Sequence, residues 1–204
     1  MKRDRVAFSF IVDSDPRFAF QAWHLGRSLV EHCGGDPTTV HVQFTPEVEP
    51  RVRDMFSREG YAIHEIERFG DGRYCNKLNQ FEGLRDTEFD HLVLLDTDTI
   101  AVADIRPFLR DDAIQAKVVD KANPPIGVLD SIAAAAGLAG SWPVCTVDGE
   151  HRPTYLGNAN GGFYAIPQRF CGSLFEAWRV RALWLSANSA PLAKSRKVSR
   201  SPSR

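Results

Sequence analysis

The chain has 204 residues, 43% of them hydrophobic and 25% charged, with a formal net charge of -1. That length supports one domain with a real core, and the near-neutral balance excludes the broad basic field that a nucleic-acid or anionic-membrane partner would require. Cys33, Cys75, Cys145 and Cys171 are scattered, with no C-x-x-C and no cysteine–histidine cluster at zinc spacing, so buried thiols are expected rather than a disulfide framework or a zinc site.

The opening residues imitate a signal peptide only in outline. Their apolar stretch is short, and Asp13 and Asp15 stand where a small-residue cleavage site belongs. No apolar run approaches the roughly 18 residues of a membrane span. A cytoplasmic protein without a transmembrane segment is expected.

In chain order, RVAFSFIV (Arg5 to Val12) is rich in β-branched and aromatic residues and reads as a strand. PRFAFQAWHLGRSLVEH follows as a helix, with Phe18, Ala22, Leu25 and Leu29 at helical spacing, Pro16 at the start and Gly34-Gly35 at the stop. TTVHVQF is a second strand. PEVEPRVRDMFSREG is a second helix with Val48, Val52 and Phe56 on one face. YAIHEI is a third strand, RFGDGRYCNKLNQFEGL a glycine-containing loop entering a short helix, and HLVLL a fourth strand. This alternation predicts an α/β fold with a mainly parallel sheet flanked by helices, Rossmann-like in kind. A short helical turn (ADIRPFL) and a strand (AKVVD) come next. Lys121 to Asn158 reads as a less regular insertion on the functional face. GGFYAIP is a late strand and QRFCGSLFEAWRVRALWL a helix. From Ser186 onward Ser, Arg, Lys and Pro dominate and no acid occurs. A folded domain over residues 1–185 and a disordered basic tail over 186–204 are therefore expected. The four tryptophans read as packing residues.

The run Leu92 to Leu95 needs burial on both faces, yet it leads directly into Asp96-Thr97-Asp98. In open α/β sheets ligands bind beyond the carboxyl ends of the strands. On an extended chain, i and i+2 side chains share a face. Two carboxylates so placed repel unless a cation or a shared proton intervenes. Asp96 and Asp98 are thus candidate ligands for Mg²⁺ or Mn²⁺, ions that leave positions open for phosphates. A second D-x-D, Asp13-Ser14-Asp15, also follows a strand, and a solvated helix cap explains it equally well.

The stretch CNKLNQFEGLRDTEFDHLVLLDTDTIAVADIRPFL resembles the core of the GT-A nucleotide-sugar glycosyltransferases, and is most similar to glycogenin and the bacterial lipopolysaccharide galactosyltransferases. Those proteins carry a Lys-Leu helix, an apolar strand, Asp-x-Asp and a short segment ending in an Asp-Ile motif. Lys77-Leu78, Leu92 to Leu95, Asp96 with Asp98, and Asp104-Ile105 stand at the matching places. NANGGFYAIP resembles the later family strand. The likeness spans roughly residues 5 to 185 and is specific in the order of its motifs.

The resemblance implies a transferase, a hexosyltransferase in kind, that moves a sugar from a metal-bound nucleotide-diphosphate sugar, a UDP-sugar, to an acceptor of unknown identity. Mn²⁺ or Mg²⁺ on Asp96 and Asp98 would hold the diphosphate. Lys77 would contact donor sugar or phosphate, and Thr97 lies between the acids. Asn160 would hydrogen-bond the sugar, with Gly161 and Gly162 letting backbone approach it. Val12, Asp13 and Asp15 would lie near uracil and ribose. The family pattern continues with a further Gln-containing motif and a His-Lys segment. Nothing after Trp184 matches them and the last histidine is His151, so a C-terminally truncated domain with impaired transfer is expected. Two alternatives stand beside it. One is a nucleotide-sugar-binding remnant without catalysis. The other is a haloacid-dehalogenase-like phosphatase, in which Asp96 would be the nucleophile and Asp98 the acid/base, with Asp111-Asp112 as the late acidic pair.

Overall fold

The structure, a computed structural model, describes residues 5–73 and 75–198, with side chains described as far as residue 188. Strand β1 (Val6–Val12) lies at the centre of the parallel part of the sheet. It pairs in parallel with β2 (Val40–Phe44) on one side and with β4 (His91–Leu95) on the other, and β2 pairs in parallel with β3 (Ala62–Glu65). Strand β8 (Ala159–Pro167) pairs antiparallel with β4, and β5 (Gln115–Val118) closes the order β3-β2-β1-β4-β8-β5. The fold is α/β, with a mostly parallel sheet and helices on both faces, as the alternation of elements predicts.

The strands are buried on both faces because alternate residues meet different helices. Phe8, Phe10 and Val12 of β1, Val42 and Phe44 of β2, and Val93 and Leu95 of β4 face α1 (Pro16–His32), whose Ala22, Leu25 and Leu29 are buried, and Phe56 of α2 (Pro50–Arg58). The opposite set, Ala7, Leu92, Leu94 and Ile166, packs with Phe81 of α3 (Asn76–Gly83), with Leu84 just beyond it, and with Phe170, Leu174 and Trp178 of α5 (Gln168–Val198). Trp178 stands edge-on to Tyr164 at 4.8 Å and Trp23 edge-on to Phe56 at 5.8 Å, so both are packing residues.

The chain divides into two compact units, one of residues 1–116 and 161–182, the other of 117–160 and 183–204. The second holds more regular structure than the sequence suggests: α4 (Ile126–Ala135) and an antiparallel pair, β6 (Val144–Val147) with β7 (Arg152–Tyr155). The turn between those strands places Asp148 and His151 at positive φ, 61° and 52°. The turn carries Asp148-Gly149, an Asp-Gly pair of the kind that marks hairpins, which the sequence reading did not use. Helix α5 runs to Val198, past Ser186, where the sequence reading begins a disordered tail. Residues 199–204 of the expected tail lie outside the described residues. No helix of the described residues is long and apolar enough to cross a membrane.

One buried pair has a consequence for stability. His41 of β2 is 7% exposed, and its Nδ1 lies 2.9 Å from Nε2 of His64 on β3. Burial, reinforced by the neighbouring imidazole, pushes His41 from 6.5 down to about 4, and burial also lowers His64. Between those values the unfolded chain binds a proton that the folded chain refuses. Stability therefore falls as pH drops from 6.5 towards 4, by about 3 kcal/mol from His41. We expect His41→Gln to lose markedly less stability than the parent chain between pH 7 and pH 4.5, read by urea denaturation at both pH values. Equal losses would remove His41 from that role.

Candidate functional site

The order β2-β1-β4 reverses direction of growth at β1, and the carboxyl ends of β1 and β4 flank that switch point, the usual place for a ligand in an open α/β sheet. Asp13 follows β1 and Asp96 follows β4. Directly after Leu95 the chain turns, with Thr99 N–H donating to Asp96 O at 3.2 Å and Thr99 Oγ1 donating to the same carbonyl at 2.7 Å. The extended geometry expected for Asp96-Thr97-Asp98 is therefore replaced by a turn. The spacing alone could not reveal it, because it depends on the Thr99 hydroxyl folding back. Asp96 is half-exposed, Asp98 exposed and Thr97 buried, with Thr97 Oγ1 3.4 Å from Gln21 Oε1.

The structure brings four of the expected residues together. Lys77, at the start of α3, donates from Nζ to Asp96 Oδ1 at 2.5 Å and to the carbonyl of Gly161, and Asp96 N–H donates to Gly162 O at 3.1 Å. The lysine side chain is 16% exposed and that of Asp96 47%. This ammonium is one answer to the charge that the apolar strand carries to its tip. It takes one oxygen of Asp96. Asp98 makes no hydrogen bond or ion pair among the described residues.

Helix α3 is held by polar contacts beneath it. Gln80, fully buried one turn after Lys77, accepts from Ser9 Oγ at 2.6 Å, and Gln43 Nε2 donates to Ser9 Oγ at 2.9 Å and to Gln80 O at 3.0 Å. These contacts tie the helix to β1 and β2, and they were not recognised from the sequence. Their signal was the presence of Ser9 in the otherwise apolar β1 and of Gln43 in β2.

The other expected residues stand differently. Val12 is fully buried, so its side chain belongs to the core and only its backbone faces the strand end. Asp15 is the N-cap of α1, accepting from Arg17 N–H at 2.9 Å, which is the helix-cap reading of the second D-x-D. Asp13 is engaged by Arg68, whose Nη2 donates to Oδ1 at 2.7 Å and Nη1 to Oδ2 at 3.1 Å, and by Thr45 Oγ1 at 3.1 Å. Burial alone would raise the Asp13 carboxyl. The donors Arg68, Ser14 and Thr45 outweigh it and hold the group below its usual range. Asn160 belongs to the second unit, where its Nδ2 donates to Asp120 Oδ2 at 2.8 Å. The phosphatase reading loses its late acid: Asp111 lies 3.3 Å from His91 Nε2. His91 opens β4, so Asp111 sits about 16 Å along the strand from Asp96.

Among the described residues no three metal-ligating side chains form a group. The donor set is two carboxylates, one of them shared with a lysine. That set suits a hard cation such as Mg²⁺ or Mn²⁺ taking its remaining positions from phosphate and water, and it does not suit an ion enclosed by protein alone.

No family model matches the sequence, and no curated protein sequence matches it. Solved structures do. Mouse xyloside xylosyltransferase 1 in its apo form superposes with a TM-score of 0.53 at 12% identity, covering 87% of this chain and 72% of that one. The apo bifunctional glycosyltransferase WbbM gives 0.49 at 10% identity over 90% of this chain and 37% of its own. The apo glycosyltransferase GlyE of Streptococcus pneumoniae TIGR4 gives 0.46 at 15% identity over 91% and 39%. This chain thus spans under two fifths of the length of WbbM and of GlyE. The xylosyltransferase match shows a shared α/β fold.

Gly161 was expected to let backbone approach a ligand. A Cβ there would meet only Asp96 Oδ2, at 4.0 Å, which is ordinary contact, and its φ is outside the left-handed region. Gly161→Ala should therefore fold with stability within about 1 kcal/mol of the parent in urea titration. A loss of several kcal/mol would show that this glycine serves the fold itself.

Proposed function

We propose that the chain is a glycosyltransferase domain that binds a nucleotide-diphosphate sugar, a UDP-sugar by its resemblance to glycogenin and the lipopolysaccharide galactosyltransferases, and passes the sugar to an acceptor hydroxyl. The observation that carries this reading is the Lys77–Asp96 pair at the β1/β4 switch point, in a fold shared with a xylosyltransferase. A diphosphate carries negative charge and needs cations placed before it arrives. Lys77 supplies one, held ready by Asp96 and Gly161 O. When donor binds, the ammonium shifts part of its bonding to a phosphate oxygen.

Asp96 and Asp98 would hold Mn²⁺ or Mg²⁺ against the same diphosphate. The ion would supply positive charge that stabilises the leaving group. In transfer, the bond from the anomeric carbon to the diphosphate oxygen breaks and its electron pair leaves with the phosphate. The acceptor oxygen forms the new bond and releases its proton. Lys77 contributes by offsetting charge that grows on the departing oxygen. Removing one contact of that kind typically costs on the order of 3 kcal/mol, about a hundredfold in rate. The Gly162 carbonyl accepts from Asp96 N–H, and a Cβ at Gly161 would meet only Asp96 Oδ2 at 4.0 Å, so this backbone brings no side chain of its own against the sugar.

Calorimetric titration with UDP, UDP-glucose, UDP-galactose and GDP-mannose, each with Mn²⁺ and with excess chelator, tests the reading. We expect binding of a uridine nucleotide that depends on the ion. Asp98→Ala should remove that dependence and at least about tenfold of the affinity. Equal binding in chelator would contradict the metal role. No binding of any nucleotide would contradict the function.

A further inference from the structure

The loop between β3 and α3 carries Lys77 at its exit, yet its sequence offers nothing to stiffen it. Among the described residues it has no regular structure from Ile66 to Arg73, and it passes through two glycines at positive φ, Gly70 at 60° and Gly72 at 68°. Ordering such a segment costs more conformational entropy than ordering most others. Something must hold it for Lys77 to reach Asp96.

We propose that Arg68 is the positioning residue for Lys77: its guanidinium clasps Asp13 and Glu47 and so fixes the loop across the carboxyl ends of β1, β2 and β3. This rests on the reading of Lys77 as a donor-binding group. All three guanidinium nitrogens are used. Nη1 and Nη2 grip the two oxygens of Asp13 at 3.1 and 2.7 Å. Nε reaches both oxygens of Glu47 at 3.0 and 3.1 Å, and Nη2 reaches Glu47 Oε2 at 2.8 Å. Nη1 also donates to the carbonyl of Gly72 at 2.5 Å, inside the loop itself. Two forked contacts from one planar group are beyond what an ammonium can make.

Each partner belongs to a different strand end. Asp13 follows β1, and Thr45, fully buried after β2, donates to it. Glu47 lies in the turn before α2. The clasp therefore joins three segments that meet only when the parallel sheet forms. Without Arg68 the loop loses its tether to both carboxylates, and Asp13 keeps only the donors Ser14 N–H and Thr45 Oγ1.

Downstream of the clasp the loop is knitted to α3. Asn76, 2% exposed, accepts from Phe69 N–H at 3.0 Å and donates to Gly72 O at 2.9 Å. Asn79 Nδ2 donates to Glu67 O at 2.6 Å. The Arg179 guanidinium lies 4.4 Å from the centre of the Phe69 ring. Gly72 O thus receives Arg68 on one side and Asn76 on the other, and Lys77 is the next residue. Movement of Arg68 is carried to Lys77 through one carbonyl and one amide.

The test is amine labelling of the intact chain at limiting reagent, read by mass spectrometry at Lys77, with the buried thiol of Cys33 as the marker of global opening. In Arg68→Gln we expect Lys77 to label about tenfold faster, with Cys33 unchanged and the melting temperature within about a few degrees. Arg68→Lys keeps the charge but loses the fork, and should give an intermediate rise. It also decides the matter if the glutamine variant fails to fold. Unchanged Lys77 labelling in a folded variant overturns the proposal. A parallel rise at Lys77 and Cys33 overturns it too, since the residue would then be supporting the whole domain. Uridine nucleotide titration of the parent chain is run alongside. If nothing binds, the functional reading falls, while the labelling still decides whether Arg68 positions Lys77.

Discussion

The parallel pairing of β1 with both β2 and β4 is the constraint on which the rest of the molecule depends. It places the loops that follow these three strands at one edge of the sheet, and it buries the strands so deeply that charged groups gather at their ends, while Ser9 and Gln43 inside bond to one another and to Gln80. Asp13, Glu47 and Asp96 lie in such loops, and Arg68 and Lys77 lie in or directly after the loop that follows β3, which pairs in parallel with β2. Lys77 and Asp96 could not meet if β4 were paired elsewhere. The alternating apolar residues that face α1 and α2 on one side, and α3 and α5 on the other, supply the burial that makes the pairing stable.

The same constraint explains why charges accumulate there without cancelling the fold. An isolated carboxylate at the tip of a buried strand is costly, and the two that are partly buried here are given a cation or a hydrogen-bond donor, while Asp98 is exposed to water. Asp96 has Lys77, and Asp13 has Arg68 and Thr45. The side chains are about one sixth to one half exposed, so water screens the pairs only in part, and their value lies in geometry more than in net stability. Groups held this way are in position before a ligand arrives, which is what recognition of a diphosphate requires.

Much of this was legible in the sequence because it depends on local pattern. The strand-helix alternation, the bounds of α1 and the burial of Leu92 to Leu95 all follow from period and from Pro and Gly punctuation. The nearness of Lys77 to Asp96 was expected only through a family resemblance, since nothing in the spacing of 19 residues requires it. Arg68 was invisible: one arginine among many, it gains meaning from Asp13, 55 residues away, and Glu47, 21 residues away. The turn at Thr97 and Asp98 was missed because a two-residue spacing says nothing about φ and ψ. The antiparallel direction of β8 was also hidden, because the residue pattern of a single strand does not state which way it runs against its neighbour.

The central claim is that the edge formed by the carboxyl ends of β1 and β4 receives a nucleotide-diphosphate sugar. Amide NMR shifts on addition of UDP-glucose with Mg²⁺ test it most directly, because they report position as well as binding. The account predicts the largest shifts at Asp13, at Asn76 and Lys77, from Asp96 to Asp98, and at Gly161 and Gly162. Shifts gathered instead around Arg5, Glu88 and Arg169, which line a cavity of about 520 Å³ containing the Asp90 that precedes β4, would place the ligand at the opposite end of the sheet and contradict it.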